Sequence, residues 1–229
     1  MIFIANFKAY KTDSDVYKWL EKFHILQKTI EVKKDTLLII APQFTALEHT
    51  KEFINNNKWV YKTEVSSQDV SQYEKGSYTG EVTALMIKEV CTYVIIGHSE
   101  RRKYFSENPQ VVNNKIQVAV ENNIKPVVCI SSVEELQKID ERFLDRVLIA
   151  YEPISAIGSG NALDALSAGK IVEEIKKVEP SLKIFYGGSV TSQNVLSYVS
   201  MGGFDGVLVG KVSLDPYSFI NLIYNGAKI

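Results

Sequence analysis

Val147-Leu-Ile-Ala-Tyr-Glu-Pro-Ile-Ser-Ala-Ile-Gly-Ser-Gly160 repays close reading. Its first four residues are a short apolar run of the kind that forms a buried strand. One carboxylate, Glu152, stands at the end of that run, and Pro153 biases it toward extended backbone. The loop that follows is small and apolar from Ile154 to Ile157 and closes on Gly158-Ser159-Gly160. Solvated connectors are usually polar. An apolar loop beginning at an acid suits a lid that shuts over a site and expels water from around Glu152; taken alone, the stretch suits an ordinary strand-to-helix turn with a capping glycine equally well.

The same order of parts recurs along the chain. Apolar runs read as strands at 2–5, 37–41, 60–67, 93–97, 124–130, 147–150, 183–186 and 206–210. Between them lie stretches with helical spacing. Val16, Trp19, Leu20, Phe23, Leu26 and Ile30 follow the capping-type residues Thr12, Asp13 and Ser14. Residues 47–54, 85–90, 165–178 and 195–199 read as further helices, and Asn108-Pro109 and Asp215-Pro216 each start one. Only Ser131 to Arg146 separates strands five and six, so a short helix over about 133–139 has to serve as that crossover. Eight strands alternating with eight helices, with no Pro-, Gly- or Ser-rich linker, predict one (β/α)8 barrel domain over 1–229 with a shortened fifth unit.

Composition narrows the function. The 229 residues carry 26 Lys+Arg against 27 Asp+Glu, a net charge of -1, which gives no basic surface for nucleic acid or an anionic membrane. The N-terminus lacks the pattern of a signal peptide, and no apolar run is long enough to span a bilayer. Cys91 and Cys129 lie far apart, and His24, His49 and His98 form no zinc pattern. A cytoplasmic protein with no evident metal site is expected.

In a (β/α)8 barrel, residues just after the strands converge at one mouth. Those positions hold Asn6 and Lys8, then His98 and Glu100, then Glu152. Glycine turns follow strands six, seven and eight, at Gly158-Ser-Gly160, Gly187-Gly-Ser189 and Gly210. Glu152 can serve as a base, His98 as an acid or electrophile, and Lys8 as a fixed positive charge facing an oxyanion. Glycine-flanked backbone amides make an anion cradle suited to phosphate. The chemistry read out is proton shuttling beside a carbonyl on a small phosphorylated molecule. Taken singly, each residue has a plainer explanation: Lys8 as a solvated charge, Glu100-Arg101-Arg102 as a surface ion pair, Gly187-Gly188 as a turn. Their joint placement after five strands is what those explanations leave out.

Six segments carry a resemblance to one family: Ala5-Asn-Phe-Lys8, Gly76-Ser-Tyr-Thr-Gly-Glu81, Ile96-Gly-His-Ser-Glu-Arg-Arg102, Ala150 to Gly160, Tyr186-Gly-Gly-Ser-Val190 and Asp205-Gly-Val-Leu-Val-Gly210. In their order and spacing the chain resembles the triosephosphate isomerases over essentially its whole length. The resemblance implies interconversion of dihydroxyacetone phosphate and glyceraldehyde 3-phosphate, in glycolysis and gluconeogenesis. It implies Glu152 as the base, a neutral His98 as the electrophile, Lys8 and Asn6 against the enediolate, and Glu100 in support of Lys8. Gly158, Ser189, Gly210 and the Lys211 backbone would hold the phosphate, and the resemblance implies no metal or organic cofactor. The loop around Thr79 resembles the family's interdigitating loop, which implies a homodimer.

The chain also departs from the family. Ser155 replaces a lid tryptophan, Gly210-Lys211 replaces a glycine pair, Cys129-Ile-Ser-Ser132 replaces Cys-Ile-Gly-Glu, and Asp69 replaces asparagine. Two rival readings keep the barrel: another phosphate-binding enzyme, or a non-catalytic binding protein derived from an isomerase. The first would not be expected to pair Lys8, His98 and Glu152 in these contexts, and the second has only the unusual lid and the short fifth unit for support.

Overall fold

The structure is a computed structural model that describes residues 1–31, 33, 35–153 and 163–227. Eight parallel strands pair in sequence order and close on themselves. They are β1 (Ile2–Asn6), β2 (Leu37–Ala41), β3 (Lys62–Ser67), β4 (Tyr93–Ile96), β5 (Lys125–Ile130), β6 (Leu148–Tyr151), β7 (Ile184–Tyr186) and β8 (Gly206–Val209). Closure depends on β8 lying hard against β1. A Cβ at Gly206 would sit 1.9 Å from the Ile2 carbonyl oxygen, so only glycine permits that register.

Alternation along the strands sorts the core into two layers. Ile4, Ile39, Ile95, Val127, Ala150 and Phe185 point inward and fill the barrel. The other strand faces pack against the surrounding helices, where Trp19, Phe23 and Phe219 form part of a larger apolar cluster. The helices are α1 (Asp13–Leu26), α2 (Leu47–Asn56), α3 (Ala84–Ile87), α4 (Ser99–Tyr104), α5 (Pro109–Glu121), α6 (Val133–Leu136), α7 (Ala165–Val178), α8 (Val195–Ser200) and α9 (Pro216–Gly226). Thr12 and Asp15 form a reciprocal capping box at the start of α1. Asn108 and Asp215 cap α5 and α9, each followed by proline.

The eight-strand barrel matches the sequence expectation, and the differences are local. Among the described residues a ninth helix, α4, occupies the turn after β4, where no helix was expected. The fifth unit is as short as predicted: α6 has four residues and is followed by a 3₁₀ segment, Glu141–Arg146. No helix among the described residues is long and apolar enough to cross a membrane.

Candidate active site

The C-terminal ends of β1, β4 and β6 deliver the predicted polar residues to one place. Asn6, the last residue of β1, is 4% exposed. Its Oδ1 accepts a hydrogen bond from the Lys8 amide at 3.0 Å. That contact helps hold Lys8 in the left-handed region, φ 49°, which a non-glycine residue rarely adopts. Gln68, just beyond β3, braces the same turn by donating to the carbonyls of Lys8 (3.0 Å) and Ala41 (2.9 Å). The resulting backbone points the lysine across the mouth, where Nζ lies 2.7 Å from Glu100 Oε1.

His98 caps α4. Its Nδ1 accepts from the Glu100 amide at 3.2 Å, and its Nε2 lies 3.1 Å from Glu152 Oε1. An Nδ1 that accepts a backbone N–H carries no proton, so the imidazole proton sits on Nε2 and points at Glu152. His98 is 6% exposed and Glu152 2%. The other oxygen of Glu152, Oε2, accepts from the Ser99 amide at 3.2 Å.

Burial opposes ionisation of both groups, and their contact works against burial, while the Glu100 amide on Nδ1 leaves the imidazole only its Nε2 proton. Burial pushes Glu152 up, but the contact and hydrogen bond with His98, with the Ser99 amide, bring the carboxyl below its ordinary range. Burial and Lys8 lower His98, while Glu152 and Glu100 raise it; the net direction is upward. Burial, reinforced by Glu152, also drives the Cys129 thiol well above its ordinary value, so it is no nucleophile.

Gly187 sits against Glu152 from β7. A Cβ there would fall 2.9 Å from Glu152 Cγ. Ser189 follows in the left-handed region at φ 48°. Gly210, after β8, lies against the Lys8 side chain, and Lys211 opens a 3₁₀ turn at the same rim with its side chain exposed. Thus the ends of β1, β4, β6, β7 and β8 converge. Gly158 and Ser155 lie outside the described residues. Thr79 lies on an exposed loop after β3.

A cavity of about 600 Å³ opens beside Glu152, lined in part by Ser99, Arg102, Cys129, Ser131 and Glu135. A larger depression of about 740 Å³ lies between α1 and α2, remote from the strand ends and from this cluster. Of the polar cluster, Glu100 and Glu152 line the first. Among the described residues no three His, Cys, Asp or Glu side chains are grouped as a metal ion would need.

Sequence reading missed two supporting groups here. The Ser99 amide carries no side-chain signal. Gln68 does: it is a polar residue directly after a strand, the same signature that singled out Lys8.

A family model described as triosephosphate isomerase matches residues 1–226. A triosephosphate isomerase from Dictyoglomus thermophilum is 33% identical over 250 residues, covering 97% of this chain and 98% of that protein. One from Dehalococcoides mccartyi is 35% identical over 254 residues, covering 100% and 97%. One from Prochlorococcus marinus is 36% identical over 240 residues, covering 96% of each.

Proposed function

We propose that in this chain, which belongs to the triosephosphate isomerase family and interconverts dihydroxyacetone phosphate and glyceraldehyde 3-phosphate, the chemistry is carried by Glu152, His98, Lys8 and Asn6. Glu152 removes a proton from the carbon next to the carbonyl and returns it to the neighbouring carbon. His98 directs its Nε2–H at the carbonyl oxygen, polarises it, and moves protons between the two oxygens of the intermediate. Lys8 places a cation beside the enediolate, and Asn6 contributes from the other side of the same turn. Glu100 orients Lys8.

The contact between His98 Nε2 and Glu152 Oε1, 3.1 Å long, is the observation that best supports this reading. Base and electrophile share one proton donor. A substrate carbonyl that takes the Nε2–H releases Glu152 toward the carbon acid, so binding and activation of the base become one event.

The phosphate falls to the backbone amides around Gly158, Ser189, Gly210 and Lys211, with the Lys211 side chain adding a charge at the rim. The apolar run after Glu152 acts as the lid over this site. We read the whole of 1–229 as one domain that works as a homodimer through the Thr79 loop. Its place is the cytoplasm, consistent with two buried free cysteines.

A coupled assay on the Glu152→Gln variant tests the central assignment. Loss of kcat/KM by about 10³-fold or more, the scale of a general base, is expected with an unchanged melting curve. Activity near that of the parent would remove Glu152 from the role of base.

A further inference from the structure

Arg102 closes the segment that carries His98 and Glu100, and a surface ion pair does not describe it. It lies in α4, and its guanidinium reaches two backbone carbonyls. Nε donates to the Gly97 carbonyl at 2.8 Å and Nη2 to the Cys129 carbonyl at 3.0 Å. The pairing of β4 with β5 runs as far as Ile96 and Val128. Gly97 and Cys129 are the next residues along each, so one guanidinium bridges the seam where the ladder stops. A planar fork of fixed donors suits two separate acceptors. Gly97 is fitted to it: its φ is 65°, and a Cβ there would fall 2.9 Å from Arg102 Nη2. Glu135 Oε2, 3.9 Å from Nε, balances the charge.

Each side of that seam carries one of the reacting groups. His98 follows Gly97 directly. Glu152 is tied to β5, because its amide donates at 2.8 Å to the carbonyl of Ile130, the residue after Cys129. The 3.1 Å contact between His98 Nε2 and Glu152 Oε1 therefore spans the seam. We infer that Arg102 is a positioning residue for the reaction: by clamping Gly97 to Cys129 it sets the distance between His98 and Glu152. The inference rests on the assignment of those two residues as electrophile and base.

The test is Arg102→Ala, assayed beside a melting curve of the same sample. kcat should fall about ten- to a hundredfold, as when reacting groups are slightly misplaced. KM for glyceraldehyde 3-phosphate should stay within about twofold, the pattern of a loss felt in the transition state. Chemical rescue separates positioning from mere support of the fold. The cavity of about 600 Å³ beside Glu152 is lined by Gly97, Arg102 and Cys129, so a guanidinium ion can enter where the side chain is missing. Guanidinium chloride below its denaturing range should restore part of the lost kcat in Arg102→Ala and add nothing to the parent. Sodium chloride at the same ionic strength should restore none. Parental kcat in Arg102→Ala, a loss carried by KM, or equal effects of the two salts would overturn the proposal. Should Arg102→Ala not fold, Arg102→Lys keeps the cation and the stem without the planar fork, and should show the lowered kcat at unchanged KM. Parental kcat in Arg102→Lys, or failure of both variants to fold, would assign Arg102 to stability alone. Failure of the catalytic reading would show separately, as full activity in Glu152→Gln.

Discussion

The Glu152 carboxylate is placed by neighbours that leave it little freedom. His98 Nε2 and the Ser99 amide each take one oxygen, and Gly187 leaves room for Cγ on the β7 side. Its pKa is lowered by those two donors against burial, which fixes the sign of a pH effect. The ionised form is favoured in the folded protein, so the interaction is present above the ordinary glutamate range and is lost only as pH falls through the depressed value. The acid limb of kcat/KM should accordingly lie below the ordinary glutamate pKa. Gly187→Ala should move it. A methyl group 2.9 Å from Cγ must push the carboxylate off His98, so the limb should rise in pH and kcat should fall about tenfold or more. A pH–rate profile of both proteins checks this; superimposable profiles would mean that the carboxylate does not depend on the space Gly187 leaves.

At the level of elements, the strands were legible because each is an apolar run bounded by polar or glycine residues. α4 was not. It has six residues, none of them buried, so no apolar period marks it. Its signal was electrostatic: Glu100 in the first turn and Arg101, Arg102 and Lys103 in the last, arranged as the helix dipole prefers. Two departures from the family also resolve at this scale. The acid absent after β5 is supplied from α6, where Glu135 Oε2 accepts from the Ser131 amide at 2.8 Å and lies 3.9 Å from Arg102. Asp69, in place of asparagine, joins a cluster that pins α4 to α5. Lys115 lies 2.6 Å from Asp69 and 2.5 Å from Glu107, and Arg101 lies 2.8 Å and 2.5 Å from the same two carboxylates. Spacing could not reveal this, because its members are up to 46 residues apart. Lys115→Met would leave two largely buried acids facing one arginine. It should destabilise the fold by about 3–5 kcal/mol, as breaking a buried ion pair does. Urea unfolding measures it, and a loss under about 1 kcal/mol would show the cluster to be solvated like a surface pair.

Across the whole molecule, exposed aromatic side chains lie on several faces, including Tyr17 on α1 and Tyr217 and Tyr224 on α9, and one group of them shares a rim. Phe44 follows β2, Tyr73 and Tyr78 follow β3, and Tyr104 and Phe105 follow β4. These loops belong to three adjacent strands at the active-site end of the barrel. Tyr73 and Tyr78 stack on each other, centroids 4.0 Å apart, which stiffens the loop that carries Thr79. Every residue from Tyr73 to Glu81 is exposed in the single chain. Side chains of this size gathered on one rim mark an interaction surface, and aromatic residues are the ones enriched at interfaces. The same rim bears Gln68, which braces the Lys8 turn, so covering it would steady Lys8. The protein should therefore sediment at twice its 25.8 kDa mass. Tyr78→Asp, which removes the stack and puts a charge on the loop, should yield monomers with kcat lowered about tenfold or more, because misplacing a catalytic group slightly is enough to cost that much. Sedimentation velocity and the coupled assay, run on the same samples, separate the outcomes. A monomeric parent enzyme with full activity would remove the rim from both assembly and catalysis.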